Sequence, residues 1–75
     1  QKFALCKDHA KRLVAQMGER NAMREMRGHA PWYIKGLHSS AHIKNALTKI
    51  ETYKELEDIL QEYETYLLEY EKKES

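Results

Sequence analysis

Met23-Arg24-Glu25-Met26-Arg27-Gly28-His29-Ala30-Pro31-Trp32-Tyr33-Ile34-Lys35-Gly36-Leu37 carries a helical apolar period across two glycines and a proline. Met23, Met26, Ala30, Tyr33 and Leu37 step by three, four, three and four, the period of a helix with one apolar side. Pro31 removes a backbone donor and crowds the carbonyl four residues earlier, and Gly28 weakens the same turn. The spacing therefore predicts a second helix from about Glu19 toward Lys35. A kink or short break is expected at 28–31, with Pro31 opening the second piece and Gly36 ending it.

The same period extends in both directions. Phe3, Cys6, Ala10, Leu13, Val14 and Met17 form one stripe, predicting a first helix over about 2–17. Gly18 suits the left-handed position just past a helix end. Ser39 or Ser40 can cap a short third helix reaching about Lys49, with Ile43, Ala46, Leu47 and Ile50 on its apolar side. Thr52-Tyr53-Lys54-Glu55 reads as a capping box opening a fourth helix from about Tyr53 to Tyr70. Its stripe is Leu56, Ile59, Leu60, Tyr63, Leu67 and Tyr70, and residues 71–75 are expected to fray. No alternating β pattern or hairpin turn is present. The expected fold class is all-α: one small four-helix, bundle-like domain over residues 1–75.

With 75 residues the chain supports one small core of marginal stability. It opens on Gln rather than Met, which suggests a piece of a longer protein. Cys6 is the single cysteine, so no internal disulfide forms, and an unpaired thiol suits a reducing, cytoplasmic compartment. No signal peptide and no bilayer-length apolar run is visible.

The net charge of +1 hides a split. Residues 1–49 carry ten Lys/Arg and three acids, a balance of +7, whereas residues 50–75 carry three lysines and nine acids, a balance of −6. On the second helix Arg20, Arg24, Arg27 and Lys35 fall within about 80° of one another, beside the methionine stripe. Lys44 and Lys49 can extend this ridge, and His38, His42 and Tyr33 add neutral donors near the Gly36 turn. Guanidinium groups suit phosphate, to which each donates two parallel hydrogen bonds. A nucleic-acid backbone is thus one partner for the ridge. The alternative is that the arginines solvate their helix or pair with the acidic fourth helix.

Trp32 lies on neither the stripe nor the ridge. It suits a core or domain-interface position, with stacking on an unpaired base as the other reading. Tyr66, off the main stripe of the fourth helix, suits contact with a partner. Cys6-x2-His9 and His38-x3-His42 have ligand-like spacing. However, Cys6 and His9 sit inside a predicted helix with Cys6 on its apolar stripe, so no metal is expected. No catalytic set, phosphate loop or nucleophile elbow is evident.

Residues 26–37, Met26-Arg27-Gly28-His29-Ala30-Pro31-Trp32-Tyr33-Ile34-Lys35-Gly36-Leu37, resemble a motif of the C-terminal helical domain of bacterial tRNA-dihydrouridine synthases. The similarity continues through Ala41, Ile43, Lys44, Ala46 and Leu47 into Thr52-Tyr53-Lys54-Glu55-Leu56, covering roughly residues 20–62. The resemblance implies a parent enzyme in which an N-terminal TIM barrel binds FMN and reduces uridine in tRNA with NADPH as hydride source. The helical domain packs on the barrel and helps grip the tRNA. The barrel is absent from this chain, so Cys6 is not matched to the barrel's catalytic cysteine and no FMN ligand is assigned. Arg24, Arg27, His29 and Lys35 match the motif's polar positions. His29, Trp32 and Tyr33 are expected at the barrel interface, and Arg20, Arg24, Arg27, Lys35, Lys44 and Lys49 at the RNA. The competing expectation is a helical protein-interaction or dimerisation module, self-associating through an exposed apolar face.

Overall fold

The computed structural model describes residues 2–37 and 40–74, with side chains from Phe3 to Leu37 and from Ser40 to Tyr70. Within these residues the chain is all-α, in the order α1 (Lys2–Met17), α2 (Glu19–Tyr33), α3 (Ser40–Leu47) and α4 (Tyr53–Glu74). No strand occurs among the described residues. None of the described helices is long and apolar enough to cross a membrane.

A single residue joins α1 to α2. Gly18 has φ 83° and ψ 158°, so the positive φ expected after α1 is present, while ψ is extended rather than helical. A side chain is strained at such a φ. The Gly18 N–H donates to the Val14 carbonyl and its own carbonyl accepts from the Ala22 N–H, both at 2.9 Å. The turn is therefore bonded into both helices. α1 and α2 run antiparallel, bringing His9 beside His29 and Tyr33. α3 packs on α2 and α4, and α4 returns to α1. There Phe3 meets Tyr63 edge to face, with ring centroids 5.9 Å apart.

One core runs through all four helices. Phe3, Cys6 and Ala10 come from α1, and Met23, Met26 and Ala30 from the expected stripe of α2. Leu47, Ile50, Leu56, Leu60 and Tyr63 complete it from the C-terminal half. Ala22 and Ile34, outside the expected stripe, are also fully buried. Met17, the last residue of α1, belongs to its predicted stripe but is exposed.

Four boundaries differ from expectation. α2 is continuous through 28–31, with Pro31 inside it. Only two helical residues follow the proline, and buried Met26, Ala30 and Ile34 on either side of it hold the turn to the core. Tertiary burial thus outweighs one lost ladder bond. α2 ends at Tyr33 rather than Lys35, closing with bonds from the Ile34 and Lys35 N–H groups to the Pro31 and Trp32 carbonyls, each 3.3 Å. α3 ends at Leu47 rather than Lys49, where the Thr48 hydroxyl caps the Asn45 carbonyl at 2.6 Å. α4 continues to Glu74, past the expected end at Tyr70. Ser39 as a cap and His38 as a donor lie outside the described residues.

The capping box forms as read. The Thr52 N–H donates to Glu55 Oε1 at 2.9 Å, and the Glu55 N–H donates to Thr52 Oγ1 at 3.2 Å. Glu19 at the start of α2 accepts the Tyr53 N–H at 2.9 Å, tying the start of α4 to the hairpin tip.

Candidate nucleic-acid interface

The buried residues of α2 occupy one side of the helix, and Arg20, Arg24 and Arg27 stand on one flank of it. Together with Glu51 they line a shallow hollow of about 350 Å³. Arg20 and Arg24 are exposed, whereas Arg27 is half-buried. The reason is a bond from Arg27 Nε to the Ile50 carbonyl, 2.8 Å long, which anchors the guanidinium between α2 and the start of α4. Arg27 is therefore a structural member of the cluster, and Arg20 and Arg24 carry its free charge.

No ion pair within 4 Å joins these three arginines to an acid among the described residues. The acidic α4 satisfies its own lysine instead: Lys54 lies 3.0 Å from Asp58 and 4.0 Å from Glu57. Among the described residues, the pairing of Arg20, Arg24 and Arg27 with α4 that the charge split allowed is not formed within 4 Å. Glu55 has its carboxyl held below the ordinary range by the N–H groups of Glu51 and Thr52, with a smaller contribution from the Arg27 charge.

The other expected cations lie apart from this hollow. Lys35 is exposed in the turn after α2, close to Gly36 at φ 85°. Lys44 is half-buried on α3, and Lys49 is exposed in the turn beyond it. None of the three lines the arginine hollow.

The opposite flank of α2 carries His29, Trp32 and Tyr33. His29 is about 170° around the helix from the middle of the arginine cluster. Trp32 is 74% exposed, which excludes the core position allowed for it; it points outward from the helix, away from the buried side. Tyr33 is half-buried, and its hydroxyl lies 3.0 Å from His9 Nδ1. The His9 and His29 rings sit 5.1 Å apart, and Glu25 approaches His29 at 3.8 Å. His42 faces away from this group, sharing a groove with Ile43, Glu62, Tyr63 and Tyr66.

His9, which the sequence offered only as a metal-ligand candidate, and Arg12 and Gln16, which sequence reasoning missed, belong to this flank. His9, Arg12 and Gln16, with Leu13 and Tyr33, line a second hollow along the α1–α2 seam. The available signal was their spacing of three and four along α1, on the side flanking its apolar stripe. Burial, then the neighbouring His29 and Arg12 charges, push the His9 imidazole below its ordinary value.

Among the described residues no three His, Cys, Asp or Glu side chains are grouped to hold a metal ion. Cys6 lies in the core, where burial pushes its thiol up to about 11.

Comparison with known proteins adds the family. The family model described as dihydrouridine synthase (Dus) matches residues 1–70. A probable tRNA-dihydrouridine synthase of Mycobacterium leprae is 40% identical over 52 residues, covering 69% of this chain and 14% of that protein. Probable tRNA-dihydrouridine synthases of two Mycobacterium tuberculosis strains are each 35% identical over 52 residues, covering 69% of this chain and 13% of theirs. The chain thus spans about one-seventh of the length of these curated relatives. No solved structure matches. With a family model matched over nearly its whole length, the chain belongs to the dihydrouridine synthase family.

Proposed function

We propose that this chain is the tRNA-binding helical domain of an FMN- and NADPH-dependent tRNA-dihydrouridine synthase, following a TIM barrel in the same protein. The observation that carries the reading is the arginine hollow. Three guanidinium groups share one concave surface, and two of them are exposed with no acidic partner within 4 Å among the described residues. Donors arranged this way follow a phosphate backbone without reading its sequence. In this reading Arg20 and Arg24 contact phosphate, Arg27 sets the shape of the hollow, and Lys35, Lys44 and Lys49 add a diffuse positive field. The domain holds the tRNA while the barrel carries out the reduction.

Trp32, which projects outward from the same flank of α2 as His29 and Tyr33, is the docking element for the barrel. A largely exposed tryptophan on a small domain supplies the apolar, hydrogen-bonding anchor typical of an interface. The arginine hollow has no aromatic or aliphatic wall to hold a flavin ring, so no FMN contact is assigned to it.

A second reading, a protein-interaction or self-association module, draws on Leu5, Trp32 and Leu68, all more than half exposed. A salt series separates the two. For the tRNA-binding domain, tRNA affinity of the intact protein falls log-linearly with salt, and Arg20→Glu with Arg24→Glu weakens it steeply. Unchanged tRNA binding in that double variant, together with concentration-dependent sedimentation of the wild type, would favour the interaction module.

A further inference from the structure

The His9 hollow is separate from the arginine hollow and shares no residue with it. It is open, about 420 Å³, and apart from Leu13 each residue lining it bears a polar group. Its outer end is Gln16, the penultimate residue of α1, while Arg20 is the second residue of α2. Only the Gly18 turn and its neighbours separate the two surfaces along the chain. Resting on the RNA reading, we propose that this seam is a second phosphate site, in which His9, Arg12, Gln16 and Tyr33 hold one backbone phosphate of the bound RNA.

The chemistry follows from the 3.0 Å contact between Tyr33 Oη and His9 Nδ1. With the imidazole neutral and its proton on Nε2, the phenol donates to Nδ1, and its hydrogen is unavailable to a ligand. Once His9 is protonated, Nδ1–H donates to Tyr33 Oη instead. The phenol hydrogen is then free to turn into the hollow, and His9 presents a charged Nε2–H as well. One proton thus supplies a charge and releases a donor. Arg12 contributes a fixed charge and Gln16 an amide donor.

The groups facing His9 are Arg12 from its own helix and His29 and Tyr33 from α2, with Glu25 behind His29. No residue of α3 or α4 lines the seam among the described residues. Burial, and after it the His29 and Arg12 charges, oppose protonation in the free protein, and a bound phosphate offsets those charges. Binding therefore tightens as pH falls, because the occupied site takes up a proton that the empty one resists.

The test is tRNA affinity of the intact protein by fluorescence anisotropy across pH 5.5–8.0 at constant ionic strength. The wild type is compared with His9→Gln, His29→Gln, Tyr33→Phe and the Arg20→Glu/Arg24→Glu double variant. A phosphate that raises the His9 value by one unit gives up to about a tenfold gain in affinity through the histidine range. His9→Gln should flatten that rise and Tyr33→Phe should reduce it. His29→Gln should move its midpoint upward by removing an opposing charge. The double arginine variant should weaken binding at every pH and keep the slope. A His9→Gln variant that is folded by circular dichroism and retains the wild-type slope overturns the seam site and leaves the arginine reading intact. A slope that depends on His9 while the arginine variant binds normally supports the seam and removes the arginine hollow. Wild-type protein that binds no tRNA at any pH overturns both. As a second readout, the His9 imidazole titration followed by NMR should move to higher pH when tRNA is added; an unmoved titration counts against the site.

Discussion

Arg27→Met separates the structural arginine from the two that face solvent. Arg27 Nε donates to the Ile50 carbonyl at 2.8 Å, and Ile50 is 1% exposed. Methionine keeps the length and apolar stem but offers that carbonyl no donor, and water has little access to it. A buried acceptor left unpaired costs about 1–3 kcal/mol, the upper part of the range applying when the lost donor was charged. For a domain of this size each kcal/mol lowers Tm by roughly 4–8 °C, so a loss of about 2 kcal/mol moves it by roughly 8–16 °C. The assay is thermal and urea denaturation of the 75-residue chain followed by far-UV circular dichroism, with Arg24→Met alongside. Arg24 is exposed and makes no ion pair among the described residues, so its variant should stay within about 0.5 kcal/mol of wild type. Equal stability of Arg27→Met and wild type, or an equal fall in Arg24→Met, would refute the division of roles.

Thr52→Ala removes the hydroxyl that accepts the Glu55 N–H and should cost about 1 kcal/mol in a urea titration. The Glu55 carboxyl is depressed in the fold, so its stabilisation is complete above the ordinary value of 4.5 and is lost as pH falls from there through the folded value; Glu55→Gln should shrink that acid-side step in a Tm-versus-pH series. Cys6 is fully buried, with its thiol pushed up to about 11, so at pH 8 only about one in a thousand is ionised; a thiol reagent should leave the native chain unlabelled and label it in denaturant. Tyr53 Oη is buried without a hydrogen-bond partner among the described residues, so Tyr53→Phe should leave stability unchanged or raise it by up to about 1 kcal/mol in the same denaturation assay.

What could be read from the sequence was local. Gly18 and the Thr52–Glu55 box mark helix boundaries through short-range chemistry, and both lie where the residues indicated. Pro31 was misleading because its local cost is weighed against burial of Met26, Ala30 and Ile34, a tertiary quantity. The arginine cluster was visible as helical spacing. Its internal division was not, since the Ile50 carbonyl that binds Arg27 is 23 residues away. The His9–Tyr33 contact spans 24 residues and depends on how two helices align. No spacing rule along one helix reveals such a pair.

Gly18 lies between the two hollows along the chain. It is exposed, and a carbon added to it would meet nothing within 4 Å, so its requirement for glycine is one of backbone angle alone. α1, bearing His9 and Arg12, and α2, bearing Arg20, Arg24 and Tyr33, lie antiparallel on either side of that single residue. Its backbone angle therefore sets the register of the two helices before any ligand arrives. Under the two-site reading, a Gly18→Ala substitution strains that register and with it the His9–Tyr33 pair built from both helices. The arginine hollow keeps its α2 side chains, so one residue tunes one site and spares the other.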